Sequence, residues 1–420
     1  MWISVVSARL HDGLPSILRR AFPSPVLLCL AAACGSDAAP GPTSTTRDSA
    51  GVTIVENQEV IPPNGGGWSL AVGPTLVIGS TESLDDSGLY RVRGALRLPD
   101  GRIAVANDGS GEIKLFGVNG AQLESLGGVG EGPGEFSSVL LMGLLGDSLV
   151  ILDRRLRRVS IVHPDDGFVR SFTIAEPVAV YPMGGWLFAS GSVLIDDLPL
   201  NDDGGFEDGF ARERARLKSC DLTGALLAEF GELPGAETYT FTRQGEHGTA
   251  TGIMSVPFGK SPQVAVAEDR LYFGSQDRYE IRVFDSGGSL RTLVRLDRSP
   301  VPVTNTDLES HIRYTLDESD EDEARIQREM FEQMPRIEFR PAHGAIAADR
   351  KGFLFVEEFR VPGMETVPVT VFDPDGRLVG RIEIPADIEV LEIGPDYVLA
   401  LYEDAMDVEY VHMYELTRPG

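Results

Sequence analysis

A chain of 420 residues with 37 Lys and Arg against 64 Asp and Glu carries a formal charge of −27. So acidic a surface repels nucleic acid and anionic lipid headgroups, which excludes both as partners by charge. Its three cysteines, at positions 29, 34 and 220, are too few and too scattered for a disulfide framework or a cysteine metal site.

At the N-terminus, Arg9, Arg19 and Arg20 precede a short apolar stretch, Val26 to Ala33, which ends in Leu30-Ala31-Ala32-Ala33. A positive flank, a short apolar core and small residues before a cut site make a secretory signal over 1–33. The apolar stretch is shorter than the roughly 20 residues that span a bilayer. With Cys34 directly after the small residues, the segment resembles a bacterial lipoprotein signal. That resemblance implies that Cys34 is lipidated and becomes the first residue of the mature chain. Cys29 fits the position poorly, because Leu28 before it is bulky. Gly35, rather than Asp, after the cysteine implies sorting to the outer membrane, facing the periplasm or the cell surface. The protein is then exported and meets the membrane through its lipid anchor. Removing 1–33 takes away three Arg and one Asp and moves the formal charge from −27 to −29. Residues 34–50 are small, polar and rich in Pro, Gly, Ser and Thr, and read as a flexible tether.

From residue 51 to 420 short β-branched and aromatic runs alternate with Gly, Asp and Pro turns, and they repeat. A strand, a turn ending in Gly and another strand recur at 113–126, 159–172, 216–230, 281–294 and 369–382, and a sixth copy at 411–420 stops at the turn. Asp-Gly, Gly-Gly and Thr-Gly between apolar runs are hairpin signals. Ahead of each copy lies a second strand signal: GRIAVAN, DSLVILD, GWLFAS, DRLYFGS, GFLFVEE and DYVLALYE. A further apolar segment precedes each of these: RGALRL, VLLMGLL, PVAVYPM, PQVAVAE, GAIAAD and IEVLEIG. Six units of three to four strands predict an all-β fold, a six-bladed β-propeller. The sixth unit lacks an outer strand, which residues 68–80 are able to supply and so close the ring.

Residues 127–136, GGVGEGPGEF, follow the strand GRIAVAN and its hairpin. They are similar to the inter-blade segment of NHL-type six-bladed propellers, and 51–420 as a whole resembles the NHL/TolB-like propeller lipoproteins of Gram-negative bacteria. The Gly-rich segment has no following helix and no Lys-Ser/Thr, so it is no phosphate loop. Lyases of the NHL type bind a metal through histidines of innermost strands. Of His163, His247, His311, His343 and His412, only His343 falls on such a strand, and no two have zinc-ligand spacing.

Two departures from an even propeller stand out. Residues 232–261 read as a long loop. Residues 304–334 read as a small helical insertion between blades four and five, with Asn305 or Thr306 as cap, Leu308, Ile312 and Leu316 on one face, Ile326, Met330 and Met334 on another, and Pro335 as stop. Docked at the mouth of the axis, it would act as a lid. No G-x-S-x-G elbow and no EF-hand loop occurs, since the acids of 201–210 are wrongly spaced. No catalytic residue, metal ligand or cofactor is implied. The candidate ligand-binding residues are those at the starts of innermost strands and in adjacent loops: Arg91, Arg93, Tyr181, Lys260, Arg340 and His343. Their basic excess in an acidic protein suits a carboxylate or a sugar acid. The sequence thus describes a cell-envelope binding or interaction module for another envelope protein, a carbohydrate or an anionic small molecule. The alternative is a lyase or hydrolase using the axial funnel.

Overall fold

Runs of five to eight apolar-rich residues, cut by Gly and Asp turns, fold this chain mostly into strands. The structure, a computed structural model, describes residues 43–79, 88–198, 207–245, 248–317 and 321–419. The signal, Cys34, His247 and most of the acidic loop 201–210 lie outside the described residues. Within them are six sheets and two helices, α1 (Asn305–Asp317) and α2 (Glu321–Gln333). None of the described helices is long and apolar enough to cross a membrane.

The sheets follow one another along the chain. Sheet one holds Val92–Arg97, Ile103–Asn107, Glu112–Phe116 and Gln122–Gly127 in that spatial order, and sheet two Leu140–Leu145, Ser148–Asp153, Arg158–His163 and Gly167–Thr173. Sheets three to six open on Pro182–Leu187, Gln263–Ala267, Ile346–Ala348 and Ile388–Ile393. The opening strand of each sheet packs beside that of the next, and that of sheet six returns to that of sheet one. The six opening strands therefore surround a common axis.

Such a ring has no central core. Six apolar clusters fill the six gaps between neighbouring sheets. The second strand of sheet one shows how the sequence does this. Ile103 and Val105 pack toward sheet six with Leu399 and Val411, while Ala104 and Ala106 pack toward sheet two with Leu149 and Ile151. Both faces of the strand are buried, so its residues read as a continuous apolar run rather than an alternating one.

Sheet six has three strands of its own, ending on Glu409–Thr417, and its outer place is filled from the other end of the chain. Ser69–Leu70 and Leu76–Ile78 both run antiparallel to Glu409–Thr417. Upstream, Ser44–Ser49 and Val52–Gln58 form a hairpin whose second strand adds in parallel to Leu290–Asp297, the outer strand of sheet four. Strand structure thus begins inside the stretch 34–50 that was read as tether, because its Ser, Thr and Arg residues pair with an apolar neighbour strand.

Between these two attachments the chain crosses the edge of sheet five as a short 3-10 turn, Pro63–Gly67. Gly65 and Gly66 have φ of +63° and +71°, and a Cβ on them would meet the carbonyl oxygens of Arg381 and Val379, so only glycine fits. Trp68 then sets its ring edge-on to Phe353 and Phe355 at 5.2 and 5.7 Å, with the Arg418 guanidinium 5.1 Å above it. Asn57 ties sheets four and five together. Its amide nitrogen donates to the carbonyls of Arg295 (3.0 Å) and Gly376 (2.9 Å), and its amide oxygen accepts from the Leu378 N–H (2.9 Å).

Three sequence-based expectations are corrected. In sheet three the opening strand is Pro182–Leu187 and the second is Val193–Asp197, one strand later than the apolar runs PVAVYPM and GWLFAS suggested. The apolar Val178 and Ala179 are buried in the approach to the sheet instead of in it. Residues 232–261 are largely a ribbon, Leu233–Gly245 paired with Gly248–Ser255, and the first of these also pairs with the N-terminal half of Gly209–Cys220. The helices lie in the chain between Leu290–Asp297 and Ile346–Ala348, and the cap of α1 is Thr304. Its hydroxyl accepts from the Asp307 N–H (3.1 Å) while the Asp307 carboxylate accepts from the Thr304 N–H (2.9 Å), a reciprocal capping box.

Substituting Asn57→Ala removes all three inter-sheet bonds and strands a buried N–H and two carbonyls. The expected loss is about 2–4 kcal/mol of unfolding free energy, read as a lower urea midpoint with an unchanged slope. A change within about 0.5 kcal/mol, the usual range of a surface substitution, would mean that the N-terminal segment is an appendage.

Candidate functional site

The ring leaves a cavity of about 1030 Å³ along its axis, and all six opening strands contribute to its wall. The wall is of mixed polarity, with the apolar Leu96, Met142, Trp186, Val266, Ile346 and Leu391 among its residues. Charged groups stand toward its ends, and most of them are engaged. Arg360 grips Glu357 with two nitrogens at 2.9 and 3.0 Å and donates to the carbonyls of Ala386 and Ile388, both at 2.8 Å. Glu392 accepts from the Tyr397 hydroxyl (2.9 Å) and the Arg97 N–H (2.8 Å) and lies 3.7 Å from Arg350. Burial raises the Glu392 carboxyl above the usual range against these donors.

Arg93 is different. It is the second residue of the opening strand of sheet one, it lines the cavity, and its Nε is buried without a hydrogen-bond partner. Beside it lies a cluster of cations. Burial lowers the Arg154 guanidinium from its ordinary value, the Arg93 charge lowers it further, and Arg91 and Arg155 act the same way; Asp108 opposes them. Asp108 is itself taken up by Arg91 at 3.0 Å and by the Val139 N–H at 2.8 Å. The Nε of Arg154 is also buried and unpartnered, while its Nη1 donates to the Met183 carbonyl at 3.5 Å. Arg154 follows the second strand of sheet two directly, a position that the strand-and-turn pattern of the sequence does not single out.

The other sequence-predicted candidates do not reach the cavity wall. Arg91 is held by Asp108 at the rim. Tyr181 is exposed and its N–H is fixed by Asp197 at 2.6 Å. Lys260 gives its N–H to Glu237 (2.8 Å) and keeps its ammonium 3.8 Å from the same carboxylate. Arg340 is paired with Asp307 of α1 at 2.7 Å. His343 is fully buried, its ring set against Tyr279 at 5.7 Å in space that Gly274 leaves open, with Nδ1 2.8 Å from the Gly344 carbonyl. Burial pushes its imidazole down to about 4, so it is neutral at physiological pH. Ring contacts help dock the helices: His311 of α1 lies tilted against Phe258 at 5.3 Å, and Phe258 tilted against Phe359 at 5.9 Å. No residue of α1 or α2 is part of the described cavity wall.

Buried polar residues elsewhere are structural. At the end of the second strand of four sheets, a side chain accepts the N–H of the residue leading into that sheet's opening strand. The pairs are Asn107 with Tyr90 (2.7 Å), Asp153 with Ser137 (2.7 Å), Asp197 with Tyr181 (2.6 Å) and Gln276 with Ser261 (2.8 Å). Asp196, next to one of these clamps, has its carboxyl pushed up to about 7 by burial and by the Asp197 charge, but it does not line the cavity. Among the described residues no group of three His, Cys, Asp or Glu has an arrangement able to hold a metal ion.

No family model matches the chain, and no curated protein matches it. Solved structures do. A member of the DUF4221 family from Bacteroides vulgatus ATCC 8482 has a TM-score of 0.50 at 11% identity, covering 85% of this chain and 100% of its own. A protein of Bacteroides fragilis NCTC 9343 described as exported has a TM-score of 0.48 at 11% identity, covering 87% and 100%. A gluconolactonase of Xanthomonas campestris has a TM-score of 0.40 at 12% identity, covering 85% and 100%. The neighbours are β-propeller-like proteins, and at such identities the likeness is one of fold alone.

The buried His343 sets a pH dependence. Unfolded, its imidazole binds a proton near 6.5; folded, it does so only near 4. Between those values the unfolded state holds more protons, so acidification costs stability, by about 3 kcal/mol for this group. His343→Gln is expected to flatten the fall in unfolding free energy between pH 6.5 and 4 by about that amount. An unchanged pH profile would place the acid sensitivity elsewhere.

Proposed function

We propose that this protein is a six-bladed β-propeller, exported and held to the bacterial envelope by an acylated Cys34, that binds a carboxylate-bearing small molecule at the Arg93 end of its axial cavity. The six sheets are its blades, and 304–334 is an insertion between blades four and five. The observation that carries the binding reading is Arg93 itself: a guanidinium on the cavity wall, its Nε buried and unpartnered, with Arg91 and Arg154 around it and Asp108 already engaged. Desolvated like charges raise one another's energy, and an anion bound among them offsets that cost with charge-assisted bonds. That the rest of the protein is strongly acidic makes such a concentration of cations more telling. The apolar side chains of the wall, Leu96, Trp186 and Leu391 among them, offer a surface to an apolar body attached to the carboxylate. The pairing of Glu357 and Glu392 supports binding over lyase or hydrolase chemistry.

The test is a titration of the full chain in detergent with 3-phenylpropionate and, as the neutral counterpart, 3-phenylpropanol. The carboxylate is expected to bind and the alcohol not. Arg93→Gln and Arg154→Gln are each expected to weaken the carboxylate about tenfold, the loss of one charge-assisted bond. Equal affinities in parent and variants would overturn the reading. For the anchor, Cys34→Ser is expected to move the protein from the detergent phase to the aqueous phase in phase partitioning, and unchanged partitioning would overturn lipidation there.

A further inference from the structure

Arg93 has a counterpart of opposite sign. It is the second residue of its opening strand, and Glu389 is the second residue of the neighbouring opening strand, Ile388–Ile393. Two hydrogen bonds fix the relative direction of these strands. The N–H of Val92 donates to Glu409 (2.7 Å), which pairs with Glu403 at the end where Ile388–Ile393 begins. At the far end the N–H of Arg97 donates to Glu392 (2.8 Å). The strands run the same way, so Arg93 and Glu389 stand at one level on adjacent walls of one cavity. Glu389 is exposed there, and Asp387, two residues earlier, lines the same end. No ion pair joins Arg93 to Glu389 or Asp387 among the described residues, whereas Arg360 and Glu357 on the same wall are bound to each other. Below this end lie the apolar side chains of Leu96, Trp186 and Leu391.

We infer that the ligand is a zwitterion with an apolar body, a short apolar peptide with free termini, its carboxylate at Arg93 and its ammonium at Glu389. The inference rests on the carboxylate site proposed above and adds the second charge. A plain anion at Arg93 leaves Glu389 and Asp387 uncompensated and so binds more weakly than a zwitterion, and a plain cation at Glu389 faces Arg93. A zwitterion answers both. Two extended residues separate the termini by about 7 Å, a span that side chains of adjacent strands can bracket. The cavity of about 1030 Å³ also exceeds what a single amino acid fills.

Calorimetric titration of the full chain in detergent with Leu-Leu, N-acetyl-Leu-Leu and Leu-Leu amide tests this. Leu-Leu is expected to bind about tenfold more tightly than either blocked form, one charge-assisted contact each. Glu389→Gln should abolish the preference over the acetylated peptide and leave the preference over the amide; Arg93→Gln should do the reverse. Each residue's loss being specific to one terminus separates recognition from a general loss of structure. If N-acetyl-Leu-Leu binds as well as Leu-Leu, the zwitterion inference falls and the carboxylate reading stands. If none of the three binds, both fall.

Discussion

The outer place of sheet six is filled by a strand from the far end of the described chain, Leu76–Ile78 laid against Val411–Met413. A ring of sheets needs every gap between neighbours filled, because its apolar residues lie in the gaps and not in a shared centre. Were that outer place empty, Ile78 would be missing from the cluster it shares with Val105, Leu399 and Val411. The backbone of Glu409–Thr417 would also become an open edge. Trp68, Asn57 and the glycines at 65 and 66 extend the closure into a strap over sheets four to six.

Closure also explains where polar groups go. Second strands are buried on both faces, so a polar residue at their ends needs a partner. Asn107, Asp153, Asp197 and Gln276 find it in the backbone of the segment that enters their own sheet. Each such contact fixes the angle at which an opening strand meets the axis. The hairpin turns use a similar device further out: Asp221, Asp285 and Asp373 each accept two backbone N–H groups of the turn they begin. In sheet two His163 stands in that position, its Nδ1 3.2 and 3.3 Å from the N–H groups of Asp165 and Asp166. Most acids that look reactive in the sequence are thereby occupied.

The charges left over are few and sit at the axis. A ring of this kind leaves a cavity at its centre whatever its function, and the residues at the starts of the opening strands decide what that cavity can hold. Here sheet one brings Arg93 to it and sheet six brings Asp387 and Glu389, beside the apolar side chains of Leu96, Trp186 and Leu391. The helices, held by Asp307 to Arg340 and by His311 against Phe258, contribute no residue to the described cavity wall. Their apolar faces are used up locally, with Leu316, Ala324, Met330 and Met334 buried.

The sequence by itself determined whatever is carried by short-range pattern. Strand and turn repeat with a fixed rhythm, so the opening strands at Val92–Arg97, Leu140–Leu145, Gln263–Ala267 and Ile388–Ile393 were legible, as were the helices near 305–333 and the strands needed around 68–80. Sheet three lies one strand further along than its apolar runs suggest, because Val178 and Ala179 of the run PVAVYPM are buried in the approach to the sheet, and the opening strand takes in Gly184 and Gly185, the latter close to Met142 of the neighbouring sheet. Arg93 could be placed near the axis from its position in a strand. What tertiary structure alone decided is which charges remain unpaired. His343 and Arg340 look as available as Arg93 in the sequence, yet one is buried beside Gly274 and the other is bound to a residue of a helix 33 positions earlier. Arg93 and Glu389 are 296 positions apart by number and line one cavity only because the ring brings sheet six back beside sheet one. Pairing is a matter of distance in space, and a closed ring makes that distance nearly independent of distance along the chain.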